Sequence, residues 1–158
     1  MVNIDSFLID WCIRFLQNKD SIRKEIINIE KTQQNAFTIH YKEKVKYFFI
    51  ASILNNDIFN NLKVDGFTGI FALNNPSNIR FIVTEWKKLI GLKFLNIFFI
   101  NPFSSTDKVW VINPYIHDRI FDISSLELGL KSMAEMVTPL GIEELSNKIR
   151  MPKEEPVL

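Results

Sequence analysis

Residues 66–100 restrict this chain more than any other stretch. They read as an apolar run, GFTGIFALN (66–74), then NPSNIRFIVTEWKKLIG (75–91), then a second apolar run, FLNIFFI (94–100). The middle piece is a helix by its grammar. Asn75 sits at the cap and Pro76 at the first helical position, where a missing N–H costs nothing. Ile79, Ile82, Val83, Trp86, Leu89 and Ile90 recur along one face, and Gly91 ends it. The flanking runs are too uniformly apolar for surface strands and read as strands buried on both faces. A strand–helix–strand unit of this kind closes by a right-handed crossover. Its two strands are then parallel and leave the sheet at the same edge.

Around this unit the chain adds strands of the other sense. In AFTIHYKEKVKYFFIAS, Phe37, Ile39 and Tyr41 alternate with Thr38 and His40, and Val45, Tyr47 and Phe49 follow a charged turn. Period two on both sides of a short polar turn predicts a hairpin. Its outer strand, 37–41, is expected at a sheet edge. KVWVI (108–112) follows the strand at 94–100 after only NPFSSTD. A parallel return needs about a dozen residues, so this pair is expected to be antiparallel, with Pro102 and Pro114 at opposite sheet edges.

Helices are predicted at 4–17, 20–33, 55–63 and 141–150, and after a capping box at Ser124 and Glu127. In the first, Ile4, Phe7, Leu8, Trp11, Cys12, Phe15 and Leu16 form the stripe, with Trp11 and Phe15 substantially buried. In the second, Ile22, Ile26 and Ile29 share a stripe, and Asp20 or Ser21 caps the start. The fold class is α/β. One domain over 1–150 holds a mixed sheet with a parallel, Rossmann-like centre and antiparallel edge hairpins, preceded by a helical pair. Residues 151–158, with two prolines, are expected to be a flexible tail.

Three apolar runs stop at Asn-Pro: Asn75-Pro76, Asn101-Pro102 and Asn113-Pro114. Proline leaves a ladder and Asn starts turns, so these read as punctuation rather than a shared rim. Bulk properties narrow the function little. With 19 basic and 18 acidic residues the net charge is +1, which gives no global case for nucleic acid or an anionic membrane. The lone Cys12 cannot form an internal disulfide, and no apolar run approaches the roughly 20 residues of a membrane span. A soluble, cytoplasmic protein without a signal peptide is expected.

Open α/β sheets take ligands at the carboxyl ends of their strands. Asn75, Ser104, Ser105 and Thr106, with Asp107 beside them, are expected there and suit a small anion at a helix N-terminus. Asn74, Ser77, Asn78 and Asn101 share the same two loops. A second cluster, His117, Asp118, Arg119 and Asp122, crowds the loop before the capped helix, where a His beside carboxylates can move protons or ligate metal. No His or Cys set completes a metal site, and no phosphate loop occurs. No particular cofactor is implied. Lys42, Lys44 and Lys46 interleave with Tyr41 and Tyr47. That pattern can contact nucleic acid, but it is read first as an edge strand kept soluble and unpaired.

The order helix, three strands, helix, strand over 4–33, 37–41, 45–51, 67–73, 76–90 and 94–100 is similar to the restriction-endonuclease-like core, with 55–63 inserted. That resemblance implies Mg²⁺ and phosphodiester cleavage by an acidic residue and a Glu-x-Lys on adjacent strands. Here Asp65 only precedes a strand, Glu85-Trp86-Lys87 lies in a helix, and FTGIFAL carries no charge. The first expectation for function is therefore a non-catalytic interaction or regulatory module, with a protein partner or a second copy and no membrane. The alternative is a small nucleotide- or phosphoester-binding enzyme, including a degenerate nuclease-like domain.

Overall fold

A computed structural model of the protein describes residues 3–62 and 66–150, so the tail expected at 151–158 and Asp65 lie outside the described residues. In chain order the first elements are α1 (Ile4–Lys19), β1 (Ile26–Gln33), β2 (Ala36–Tyr41), β3 (Val45–Ile50), α2 (Asn56–Asn60) and β4 (Phe67–Leu73). Then come α3 (Pro76–Thr84), α4 (Trp86–Leu89), β5 (Leu95–Ile100), β6 (Val109–Ile112) and α5 (Pro114–His117). A 3-10 turn, Ile123–Ser125, leads into α6 (Leu126–Ala134), and α7 (Ile142–Arg150) closes the series.

The strands form one six-stranded sheet in the order β1-β2-β3-β4-β5-β6. β3 to β5 are parallel, and the pairs toward both edges are antiparallel. β5 and β6 pair antiparallel from Ile97↔Ile112 to Ile100↔Val109, which puts Pro102 and Pro114 at opposite edges as expected. Alternation along the strands fills two apolar layers. Phe37, Ile39, Phe48, Phe71 and Phe98 pack with α1 and α7. Ile70, Ile97, Phe99, Trp110 and Ile112 pack with α2, α3, α4 and α6. The strand order never reverses, so the sheet has no switch-point crevice of the doubly wound kind.

Residues 20–33 differ from expectation: only α1 precedes the sheet, and the second helix is a loop followed by strand β1. Asp20 does accept backbone amides, but those of Glu25 and Ile26, each at 2.9 Å, so it pins the start of a strand. β1 lies outside β2, so 37–41 is an inner strand and not the edge. The long helix over 76–90 breaks at Glu85 into α3 and α4. The capping box is replaced by the 3-10 turn, in which the Ser125 hydroxyl donates to the Asp122 carbonyl at 3.0 Å. α6 then ends at Ala134.

α1 lays Leu8, Ile9, Cys12 and Leu16 on the sheet. Trp11 and Phe15 stack on each other at 5.5 Å at the side of this face and are half-buried rather than enclosed. Cys12 is fully buried, and burial pushes its thiol well above the ordinary range. A raised thiol pKa lowers the thiolate fraction, and enclosure blocks the reagent as well. Cys12 is therefore expected to react with a thiol-labelling reagent only as fast as the protein unfolds. Stoichiometric labelling in seconds under native conditions, with no change when urea is added, would contradict this packing of α1.

Candidate functional site

The carboxyl ends of β3, β4 and β5 form the edge where a ligand is usual, and here the chain itself lies across it. Residues 135–141 run from α6 on one face to α7 on the other. They bury Val137 in one apolar layer and Leu140 in the other. Asparagines tie this strap down. Asn74 donates to the carbonyls of Ala134 (3.0 Å) and Val137 (2.8 Å) and accepts from the Trp110 indole at 2.7 Å. Asn75 donates to the Leu140 carbonyl at 3.1 Å, and Asn101 to that of Thr138 at 2.8 Å.

The residues expected to bind an anion here meet the strap. Asn75 also caps α3 through the amide of Asn78. The Ser104 hydroxyl lies 3.3 Å from those of Thr106 and Thr138, and Thr106 donates to the Met136 carbonyl. Asp107 bridges Val137 in the parallel sense, and Ser105 is exposed. The Asn-Pro motifs are punctuation, as read: Asn75 and Asn113 are N-caps followed by Pro, and Asn101 accepts from the amide of Phe103.

The second cluster also divides. His117 Nδ1 faces the amide and carbonyl of Asn113 at 3.1 and 2.8 Å, closing the short helix α5. Asp118 accepts from the Trp86 indole at 2.9 Å, and the Asp122 carbonyl accepts from Ser125. Arg119 and Asp122 are exposed, and the Arg119 guanidinium lies 4.4 Å from the centre of the Tyr115 ring. Among the described residues no three His, Cys, Asp or Glu side chains gather as a metal cage. β4, where the nuclease motif belongs, presents FTGIFAL and no ionisable group.

The opposite, amino edge of the parallel strands is open. Beneath the last turn of α1 lies a cleft of about 200 Å³, lined by Lys19, Arg23, Lys44 and Lys46 against Asp20 and Glu25. Its floor is aromatic. Phe48 and Phe98 approach over Gly69, where a Cβ would meet Phe48 Cδ1 at 2.6 Å and Phe98 Cε2 at 3.1 Å. Glycine is thus required for this floor to close. Tyr41, Phe67 and Asn96 complete the wall. Both Asp20 oxygens are committed to backbone amides, so the four cations outweigh the carboxylates free to answer them.

Lys46 is the unusual member. It sits on β3, an interior strand, half-buried with its ammonium 5.3 Å from the Tyr41 ring centre and 6.0 Å from that of Phe67. Burial first, then the charges of Lys44 and Lys19, hold its pKa below the ordinary lysine range. Burial, followed by Asp20 and Glu25, pushes the Tyr41 phenol up. Because β1 takes the sheet edge, guarding an edge does not account for this lysine. A second cleft of about 330 Å³ lies between α3 and α6 at the carboxyl edge, lined by Asn74, Asn75, Arg80 and Glu135 and by Lys131 paired with Glu127 at 3.2 Å.

The sequence pattern that interleaves Lys42, Lys44 and Lys46 with Tyr41 and Tyr47 reaches only part of the cleft. Lys46 lines it, whereas Tyr47, one residue on, belongs to the opposite face of the strand. Lys19, Arg23, Phe67 and Asn96 arrive from distant segments, and nothing local marks them. In comparison with known proteins, no family model, no curated protein and no solved structure matches this chain.

Proposed function

We propose that this chain is a non-catalytic binding module, and that its amino-edge cleft holds an anionic, phosphate-bearing ligand. The observation that carries the reading is Lys46. A lysine held half-buried on an interior strand beside two other lysines costs the fold stability at neutral pH, and an anion in the cleft offsets that cost. Lys19 and Arg23 have a second use near the negative end of α1, but Lys44 and Lys46 do not. An aromatic floor and the amide of Asn96 add contacts suited to a nucleotide. No helix among the described residues is long and apolar enough to cross a membrane.

The test separates stability from binding. A lysine whose pKa is lowered by folding destabilises the native state throughout the range below that lowered value. The penalty fades only as pH rises toward the unfolded value, because the unfolded chain binds the proton more tightly. The penalty is present wherever Lys46 is protonated in both states. Lys46→Met is therefore expected to melt at or above the wild-type temperature without ligand. It should also lose most of the thermal shift given by pyrophosphate or nucleoside triphosphates. A variant that binds these anions as well as wild type would end the proposal. Backbone amide shifts confined to Ser104–Asp107 would move the site to the strap, and shifts confined to His117–Asp122 would move it to α5.

A further inference from the structure

We propose that the cleft is the mouth of a longer track for single-stranded nucleic acid, running from Lys46 over Phe67 and Phe94 to Tyr115 and Arg119; this rests on the phosphate-binding reading above. The track is continuous in ring and cation contacts. The Phe67 and Phe94 rings meet at 5.0 Å with planes tilted by 58°. Lys44 lies 5.2 Å from the centre of the Phe67 ring. Lys93 lies 5.5 Å from that of Phe94 and 5.9 Å from that of Tyr115, on which Arg119 also rests. Rings and cations thus alternate from the cleft to α5.

Each feature of this row suits an unpaired strand. Phe67 is 39% exposed and Phe94 37% exposed, at the rim of a sheet whose interior is otherwise filled with aromatics. Exposed phenyl rings cost hydration, and a lysine ammonium over each ring, Lys44 on Phe67 and Lys93 on Phe94, offsets that only in part. When a base stacks on the ring, the flexible lysine swings to the neighbouring phosphate. Both groups then gain a better partner. Duplex offers phosphates but keeps its bases stacked inside, so it uses the cations and leaves the rings idle. An acidic peptide likewise answers the charges but has no flat face for the rings. The near-neutral net charge is no obstacle, because Lys44, Lys46, Lys93 and Arg119 place local positive charge along this row.

The experiment uses the full chain and fluorescence anisotropy with labelled oligonucleotides of about 10 nucleotides, the scale of single-strand sites. Four probes are compared: single-stranded DNA, single-stranded RNA, the matched duplex and polyglutamate. Phe94→Leu keeps apolar bulk but removes the stacking face. Arg119→Ala removes the far cation. Both residues are exposed, and unchanged melting temperatures confirm that the variants fold. Phe94→Leu is expected to weaken single-strand binding about tenfold and duplex binding hardly at all. Lys93→Ala is expected to flatten the dependence of log affinity on log salt by about 0.7, one phosphate's share for a single strand.

If Lys46→Met abolishes binding while Phe94→Leu and Arg119→Ala stay within twofold of wild type, the track is overturned and the cleft stands. If duplex or polyglutamate binds as tightly as single strands, with the same insensitivity to Phe94, the surface is merely cationic and the track is overturned. If no probe binds and Lys46→Met changes no phosphate response, the track and the cleft fall together.

Discussion

Asn74→Ala is expected to destabilise the protein by about 3–5 kcal/mol, although it deletes a polar side chain. Asn74 is 1% exposed and serves three partners: the Trp110 indole N–H and the Val137 carbonyl in buried bonds, and the Ala134 carbonyl in a part-buried one. Alanine leaves the buried indole N–H and the buried Val137 carbonyl without this partner, each at a cost of roughly 1–3 kcal/mol, while the part-buried Ala134 carbonyl still accepts the Val137 amide at 3.3 Å. The strap also loses its central tie, and Val137 and Leu140 are fully buried beneath it. Native stability is only about 5–15 kcal/mol, so the loss is a large share, seen as a drop in melting temperature of roughly 6–20 °C. Asn75→Ala is the control. Its bonds are part-buried and water replaces them, so about 1 kcal/mol is expected. Urea denaturation of both variants checks the contrast, and equal losses would contradict the role given to Asn74. A double-mutant cycle with Trp110→Phe should return a coupling of about 1–2 kcal/mol, because either change alone strands the other partner.

That tie explains why the carboxyl edge read as a binding rim in sequence. Asn, Ser and Thr before and after a helix cap look alike whether they await a ligand or a strand of their own chain. What distinguishes them is a partner more than thirty residues away: Asn74 meets Val137 across 63 positions, and Ser104 meets Thr138 across 34. The strap is legible only once α6 and α7 are known to lie on opposite faces of the sheet. The chain between them must then cross an edge. Where it crosses, it covers the strand ends and takes up the side-chain amides of Asn74, Asn75 and Asn101.

The strand β1 was hidden by a bulge. Ile26 pairs with Tyr41, Asn28 with His40 and Ile29 with Ile39, so Ile27 is an extra residue. The bulge brings Ile26 and Ile29, three apart, to the same face, and Ile27 is 67% exposed. A spacing of three is a helical signal, and Ile22 appeared to extend it, yet Ile22 is 93% exposed in the preceding loop. The contrary signal was composition: Ile26, Ile27, Ile29 and Thr32 are β-branched and favour strands. The parallel centre was legible because nearly every residue of FTGIFAL and LNIFFI is apolar, a pattern that needs both faces covered. The amino-edge cleft was legible in part through Tyr41, Lys44 and Lys46, since its other walls depend on which strands become neighbours.

Trp86→Ala is expected to cost about 3–5 kcal/mol, and Trp86→Phe only about 1–2. The two variants divide one residue into its packing and its hydrogen bond. Trp86 is 5% exposed in the layer shared by α3, α4 and α6, and its size makes the truncation a cavity that its neighbours cannot fully close. Its indole N–H reaches Asp118 at 2.9 Å, tying α4 to the end of α5. Phenylalanine keeps most of the apolar contact and deletes that bond. Asp118 is half-exposed, so water can take the lost place and the penalty stays small. Both variants should nonetheless loosen residues 114–122, seen as faster amide hydrogen exchange there than in β4 or β5. Arg119 follows Asp118 directly, so the end of the proposed track depends on this lock. Trp86→Phe is expected to weaken single-strand binding less than Arg119→Ala does, because it shifts the guanidinium without removing it. Equal costs for the two tryptophan variants would mean that the bond, and not the packed ring, holds α5 in place.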